Sequence, residues 1–145
     1  AMGLEQLKKL DYMHDRRKQN FKRMHEIMNK YNRYLDLPSA LPEADVSWFG
    51  FLITLKDNAK KYFSKNDLVN HLETAKIQTR SYFTGNALFH PAYVEQAKKY
   101  KDPRNEFPNA TKSTTDTFFM GVWPGMTDEQ LDYIEEVMHK FMWKY

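Results

Sequence analysis

Leu4, Leu7, Leu10, Phe21, Met24, Met28, Tyr31 and Leu35 recur at three- and four-residue steps through the first quarter of the chain. Lys8, Lys9, Asp15, Arg16, Lys18, Lys22 and Arg23 lie between them. This spacing puts the apolar side chains along one side of a helix and the charges along the other. His14 and Arg17 interrupt the stripe, so it predicts one long helix over residues 1–36, or two with a break near the middle. The helix ends before Leu37-Pro38, since the residue ahead of a proline is pushed out of helical geometry. A helix of about thirty residues reaches ~45 Å. That exceeds the width of the domain residues 37–145 can form, so one end of it needs a partner, either another domain or a second subunit.

After the linker Pro38-Ser39-Ala40-Leu41-Pro42, residues 47–55 (SWFGFLITL) are rich in aromatic and branched side chains and read as a buried strand. Ser64-Lys65-Asn66-Asp67 predicts a helix start, followed by the modest stripe Leu68, Val69, Leu72 and Ala75. Ile77 to Phe83 is the second strand, Pro91 to Tyr100 a short helix, and Lys101 to Ser113, with Pro103 and Pro108, a loop. Thr117 to Trp123 is the third strand, stopped by Pro124-Gly125. Thr127-Asp128-Glu129-Gln130 is a capping box opening a last helix with Leu131, Ile134, Val137, Met138 and Phe141 inward. The expected fold is α/β, with α+β also open: a small three-stranded sheet covered by helices behind a long N-terminal helix.

Composition narrows the functions. The net charge of +3 is spread among acids with no basic stripe, which argues against nucleic acid as a partner. With no cysteine, this chain alone can hold no disulfide, thiol nucleophile or thiolate-bound iron–sulfur cluster; that suits a cytoplasmic protein. No apolar run approaches the length of a membrane span, and no signal-peptide core is present. The five histidines are scattered, the five glycines isolated, and no nucleophile with a paired base stands out. Ala1-Met2-Gly3-Leu4 enters the helical pattern without a capping residue, as a leftover of expression or a chain cut from a longer protein would.

Chemistry-bearing residues gather between Ile77 and Pro91. Alternation along the second strand puts Arg80 on one face with Gln78 and Tyr82, and Ile77, Thr79, Ser81 and Phe83 on the other. Arg80 either pairs with an acid at the sheet edge or grips a phosphate or carboxylate with both arms of its guanidinium. His90, in a turn between Asn86 and Pro91, is either a hydrogen-bonded loop residue or a functional one. Ser47-Trp48-Phe49-Gly50-Phe51 reads as core, with Gly50 a place where a backbone or ligand could come close.

Four segments in order resemble one family: residues 2–10 (MGLEQLKKL) with 16–21 (RRKQNF); Ser47-Trp48-Phe49-Gly50-Phe51; Ile77-Gln78-Thr79-Arg80 through Gly85-Asn86 to His90-Pro91; and residues 117–127 (TFFMGVWPGMT). Together they are similar to the C-terminal part of the pyridoxal-phosphate-dependent nucleotide-sugar aminotransferases and dehydratases of fold type I. The Trp-Phe-Gly-Phe and Thr-Arg…Gly-Asn…His-Pro pieces resemble most the dehydratase branch, the CDP-4-keto-6-deoxyglucose 3-dehydrases of lipopolysaccharide biosynthesis.

The resemblance implies a fragment whose N-terminal cofactor domain lies elsewhere. The parent enzyme would use PLP or PMP, and in the CDP-sugar branch an iron–sulfur cluster and an electron-transfer reductase. It would act as a homodimer on a nucleotide-sugar substrate. The fragment alone would be inactive and hold no cofactor, while closing one side of the sugar pocket. Arg80, Phe83, Asn86 and His90 are then the candidate substrate-binding residues, with no catalytic residue in this part. Alternatives are a fragment of a sugar aminotransferase, or a stand-alone module that docks its amphipathic helix into a partner.

Overall fold

The computed structural model describes residues 2–145. The N-terminal stripe forms two helices, α1 (Met2–Leu7) and α2 (Leu10–Asn29), and the chain breaks at Lys8–Lys9 rather than near His14 and Arg17. Packing decides where the stripe is used. Asn20, Met24, Ile27 and Met28 are buried in the second half of α2, whereas Met2, Leu4, Leu7, Leu10 and Tyr12 remain exposed. The helix also stops earlier than its spacing predicts. Turns through Tyr31–Tyr34 lead into β1 (Leu35–Asp36), and Lys56 donates its N–H to the Tyr34 carbonyl at 2.9 Å.

The sheet has four strands, one more than the sequence predicts, in the order β1-β2-β4-β3, with every pair antiparallel. β2 is Gly50–Leu55, β3 Thr79–Ser81 and β4 Thr117–Gly121. The extra strand is β1, two residues pairing Leu35 with Leu55 and Asp36 with Thr54. Two residues carry no periodicity, so only pairing reveals such a strand. β4 sits between β2 and β3, with Phe51 opposite Met120 and Leu52 opposite Phe119.

One face of the sheet makes the core. Phe51, Ile53, Leu55, Phe118 and Met120 are buried with Met24, Ile27 and Met28 of α2, Leu68 and Leu72 of α3 (Lys65–Thr74), and Leu131, Ile134, Val137 and Met138 of α7 (Asp128–Met142). Removing these groups from water stabilises the fold by ~25 cal/mol per Å² of apolar area. Both helices begin where their capping boxes predict. Ser64 accepts from the Asp67 N–H while the Asp67 carboxylate takes the Ser64 N–H, and Thr127 and Gln130 do the same for α7. Buried Asn20 adds a tether, donating from Nδ2 to the Trp123 carbonyl at 2.7 Å.

Between β3 and β4 the chain makes a long excursion. Residues 91–100 form a 3-10 turn and the short α4 (Val94–Ala97). The predicted loop over 101–113 folds instead into α5 (Pro103–Glu106) and α6 (Pro108–Thr115). Each proline opens a helix, where its missing N–H costs nothing, and Asp102 accepts from the Arg104 and Asn105 N–H groups.

Candidate functional site

The second face of the sheet, on the Gly50–Gly121 side, is where the sequence-predicted residues come closest together. β3 is pinned to α3 at its start: the Glu73 carboxylate accepts from the N–H and hydroxyl of Thr79 at 2.5 and 2.7 Å. Those bonds hold the Glu73 carboxyl below its ordinary range. With Thr79 facing Met120 toward the core, the next residue, Arg80, must take the other face, opposite Phe119.

Arg80 is exposed and has no ion pair among the described residues, and the acid nearest to it in the chain, Glu73, bonds Thr79. It lines a cavity of about 280 Å³ with Phe49, Gln78, Phe119 and Gly121. Gln78 and Gly121 also line a larger apolar groove of about 730 Å³ that runs past Ile77, Met120 and Trp123 to Tyr133 of α7. The two hollows therefore share a wall. Phe83 stands at the edge of this face, 69% exposed, its ring 6.1 Å from that of Phe119, which in turn meets Phe49 edge-on at 5.8 Å.

Asn86 and His90 are placed differently. Asn86 is 3% exposed. Its side chain accepts from the Leu88 N–H at 3.1 Å and donates to Thr111 Oγ1 and the Pro103 carbonyl, so its polar atoms are spent inside the excursion. His90 is exposed, and its Nε2 donates to the Thr84 carbonyl at 2.8 Å, closing the 84–90 loop on itself. Neither residue lines the two hollows around Arg80.

Phe49 and Phe119 complete the site, and sequence reasoning missed both. Residues 47–51 read as core, yet Phe49 is 61% exposed; Trp48 beside it is half-buried and stacks on Phe21, ring centroids 5.6 Å apart. Strand alternation was the available signal for Phe119, which takes the face opposite Met120; Phe49 lies just ahead of β2, two residues from inward-facing Phe51, so alternation alone would turn it toward the core. Gly50 is closely approached by Phe119, whose Cδ2 would lie 2.8 Å from a Cβ added there. Such a ring laid over a strand glycine shields its backbone. The resulting surface offers one free guanidinium, an amide and three rings, suited to an anionic ligand with flat or sugar-like apolar faces.

Among the described residues, the side chains lining the two hollows do not assemble a site for a pyridoxal cofactor. Lys65, whose ammonium burial pushes toward the neutral form, donates to the Thr114 carbonyl at 2.5 Å and lines neither hollow. Lys76 lines the larger groove but is exposed, and no glycine-rich turn cradles a phosphate there. No cluster of three or more His, Cys, Asp or Glu side chains able to hold a metal ion occurs among the described residues. Likewise, among them, no helix is long and apolar enough to cross a membrane.

Known proteins resemble this chain along almost its whole length. It is 38% identical over 144 residues to a dTDP-4-dehydro-2,6-dideoxy-D-glucose 3-dehydratase of Saccharopolyspora spinosa, covering 99% of this chain and 30% of that one. It is 36% identical over 141 residues to the lipopolysaccharide biosynthesis protein RfbH of Salmonella typhimurium, covering 97% and 31%. The chain thus spans about a third of the length of these relatives. Among solved structures, the GDP-4-keto-6-deoxy-D-mannose-3-dehydratase of E. coli with bound hydrated PLP superposes with a TM-score of 0.73 at 27% identity, covering 93% of this chain and 33% of that one. The antiparallel sheet with its helices is the small domain of fold type I PLP enzymes. The model of the DegT/DnrJ/EryC1/StrS aminotransferase family matches residues 1–139, and the chain belongs to this family of PLP-dependent sugar aminotransferases and dehydratases.

Proposed function

We propose that this chain is the small C-terminal domain of a PLP- or PMP-dependent nucleotide-sugar 3-dehydratase of deoxysugar or lipopolysaccharide biosynthesis, working in the cytoplasm. Its part is to wall one side of the sugar pocket. The observation that carries the reading is the unpaired Arg80 set among Phe49, Phe83 and Phe119 on the less covered face of the sheet. The identity to relatives named as 3-dehydratases over nearly the full chain supports the dehydratase side of the family.

The cofactor, when bound, supplies the electron sink for loss of the sugar hydroxyl. In this reading the cofactor site belongs to a separate domain of the parent protein. Arg80 holds the diphosphate of the substrate, and the three rings exclude water and present flat faces to the sugar or base. Asn86 and His90 keep the 84–90 loop in shape beside them. The exposed apolar side of α1 and early α2 packs on the cofactor domain or a second subunit, in a homodimer. Should the parent belong to the CDP-sugar branch, its iron–sulfur cluster would be held outside this cysteine-free chain and fed by a reductase.

The test has two arms. The purified chain, mixed with PLP and a nucleotide 4-keto-6-deoxy sugar, is expected to retain no cofactor through gel filtration and to turn over nothing. Joined to its cofactor domain, it is expected to remove the C3 hydroxyl. Turnover by the isolated chain overturns the reading, and an amino-sugar product from the joined protein moves it to the aminotransferase branch.

A further inference from the structure

Between Ile77 and Asp116, among the described residues, the single buried side chain is Asn86. An excursion this long ordinarily docks through apolar side chains, but α4, α5 and α6 bury none. Polar contacts converging on Thr114 do the docking instead. Its hydroxyl accepts from the Asn86 N–H at 2.7 Å and donates to the Ala110 carbonyl of its own helix at 3.1 Å. Its carbonyl accepts from Lys65 Nζ of α3. Gly85 presses onto the same hydroxyl: at φ +60°, a Cβ there would lie 2.2 Å from Thr114 Oγ1. Thr114 therefore joins α3, α6 and the loop at one point.

Phe83 depends on that joint. It sits two residues before Gly85 in a left-handed conformation, φ +46°, which a phenylalanine adopts only when its surroundings impose it. Its exposed ring has no pocket to hold it, only the rings of Tyr82 at 5.2 Å and Phe119 at 6.1 Å. The backbone fixes it from both sides: β3, with the Phe83 N–H on the Ser81 carbonyl at 2.9 Å, and Gly85–Asn86 on Thr114.

We propose that Thr114 is a positioning residue for the substrate pocket. Its hydroxyl sets where Phe83 stands beside Arg80, and so how tightly the nucleotide sugar is held, without touching the ligand. The substrate half of this inference rests on the function proposed above; the structural half does not.

Three variants read it out: Thr114→Val removes the hydroxyl at nearly constant shape, Thr114→Ser keeps it, and Thr114→Ala guards against a misfolded valine variant. In the chain itself, hydrogen exchange at the Asn86 and Leu88 amides is expected to quicken about tenfold or more in the valine and alanine variants. Exchange in α7 should stay unchanged, and the serine variant should follow wild type. In the protein joined to its cofactor domain, the valine variant is expected to raise KM for the nucleotide sugar about five- to twentyfold with kcat within about twofold, and serine to restore it. Unchanged exchange at Asn86 and Leu88 overturns the joint. Faster exchange with an unaltered KM in a protein that does dehydrate nucleotide sugars overturns the positioning role. If the joined protein dehydrates no nucleotide sugar, the function proposed above fails instead, and the exchange arm still decides the joint.

Discussion

Arg80 lies directly opposite Phe119 across the β3–β4 ladder, on the face of the sheet away from the core helices α2, α3 and α7. The pair brings a guanidinium without an acid partner among the described residues beside an aromatic cluster, whereas Lys60 pairs with Asp116 and Arg23 with Glu135. An unpaired, exposed guanidinium contributes little to folding, so its removal separates function from stability. Arg80→Ala is expected to leave the melting temperature of the chain within about 1–2 °C of wild type, as surface changes do. In the protein with its cofactor domain it should raise KM for the nucleotide sugar at least about tenfold, the loss of one charge-assisted bidentate contact. Arg80→Lys should recover only part of this, because an ammonium cannot grip two oxygens in a plane. Steady-state kinetics beside thermal melts check both halves.

How far the sequence foretold this arrangement depends on the scale of the signal. α3 and α7 begin where Ser64 and Thr127 predict, because a capping box is a local, self-satisfying hydrogen-bond pattern. Arg80 fell on its face for the same kind of reason, since strand alternation needs only neighbouring residues. The N-terminal stripe was legible as helix but not as to its use: burial of Met24 and exposure of Leu4 are set by what packs nearby. The helices opening at Pro103 and Pro108 are hidden among turn-forming residues, although Asp102-Pro103 is itself a helix-start signal. Asn86 could not be located at all from the sequence. Its burial depends on Thr111 and Thr114, 25 and 28 residues further on.

Buried Asn20 supplies a stability prediction. Its Nδ2 donates to the Trp123 carbonyl two residues past the end of β4, tying α2 to the turn that leads into α7. Asn20→Ala removes the donor and leaves a cavity, while the carbonyl keeps only the Met126 N–H at 3.2 Å. The expected cost is about 1–3 kcal/mol, read as a lower midpoint in urea with an unchanged denaturant slope. A midpoint equal to wild type would show that water replaces the bond.

Acid sensitivity is expected to come in part from Glu135. Its carboxylate takes Lys30 on one oxygen and Arg23 Nη2 on the other at 2.9 Å, linking α7 to α2. Hydrogen bonding from Lys30, then the nearby charges of Lys30 and Arg23, holds this carboxyl below its ordinary value, burial opposing. A carboxyl lowered in the folded state binds its proton more readily once unfolded. Its contribution is therefore present above the ordinary glutamate value, about 4.3, and is lost as pH falls through the lowered folded value. Glu135→Gln should be less stable than wild type at neutral pH and converge with it as pH falls below about 4. Urea melts of the two proteins across that range test the convergence; parallel curves would exclude the linkage.

Gly50 offers a probe of the aromatic surface from behind. An added Cβ would meet Phe119 Cδ2 at 2.8 Å and Cε2 at 3.3 Å, with the Met120 carbonyl at an ordinary 3.5 Å. The obstacle is therefore the free end of a ring, which can swing, rather than backbone. Gly50→Ala gains about 0.4–1 kcal/mol from the reduced freedom of the unfolded chain and loses a comparable amount in displacing the ring. The melting temperature should move by no more than about 2–3 °C. The ring's new position disturbs both of its aromatic contacts, with Phe49 at 5.8 Å and Phe83 at 6.1 Å. Near-ultraviolet circular dichroism should therefore change in the aromatic bands while the far-ultraviolet spectrum does not. In the joined protein the nucleotide sugar should bind several-fold more weakly. If the aromatic spectrum shifts and binding does not, the three rings lie outside the pocket, and Arg80 alone would remain to define it.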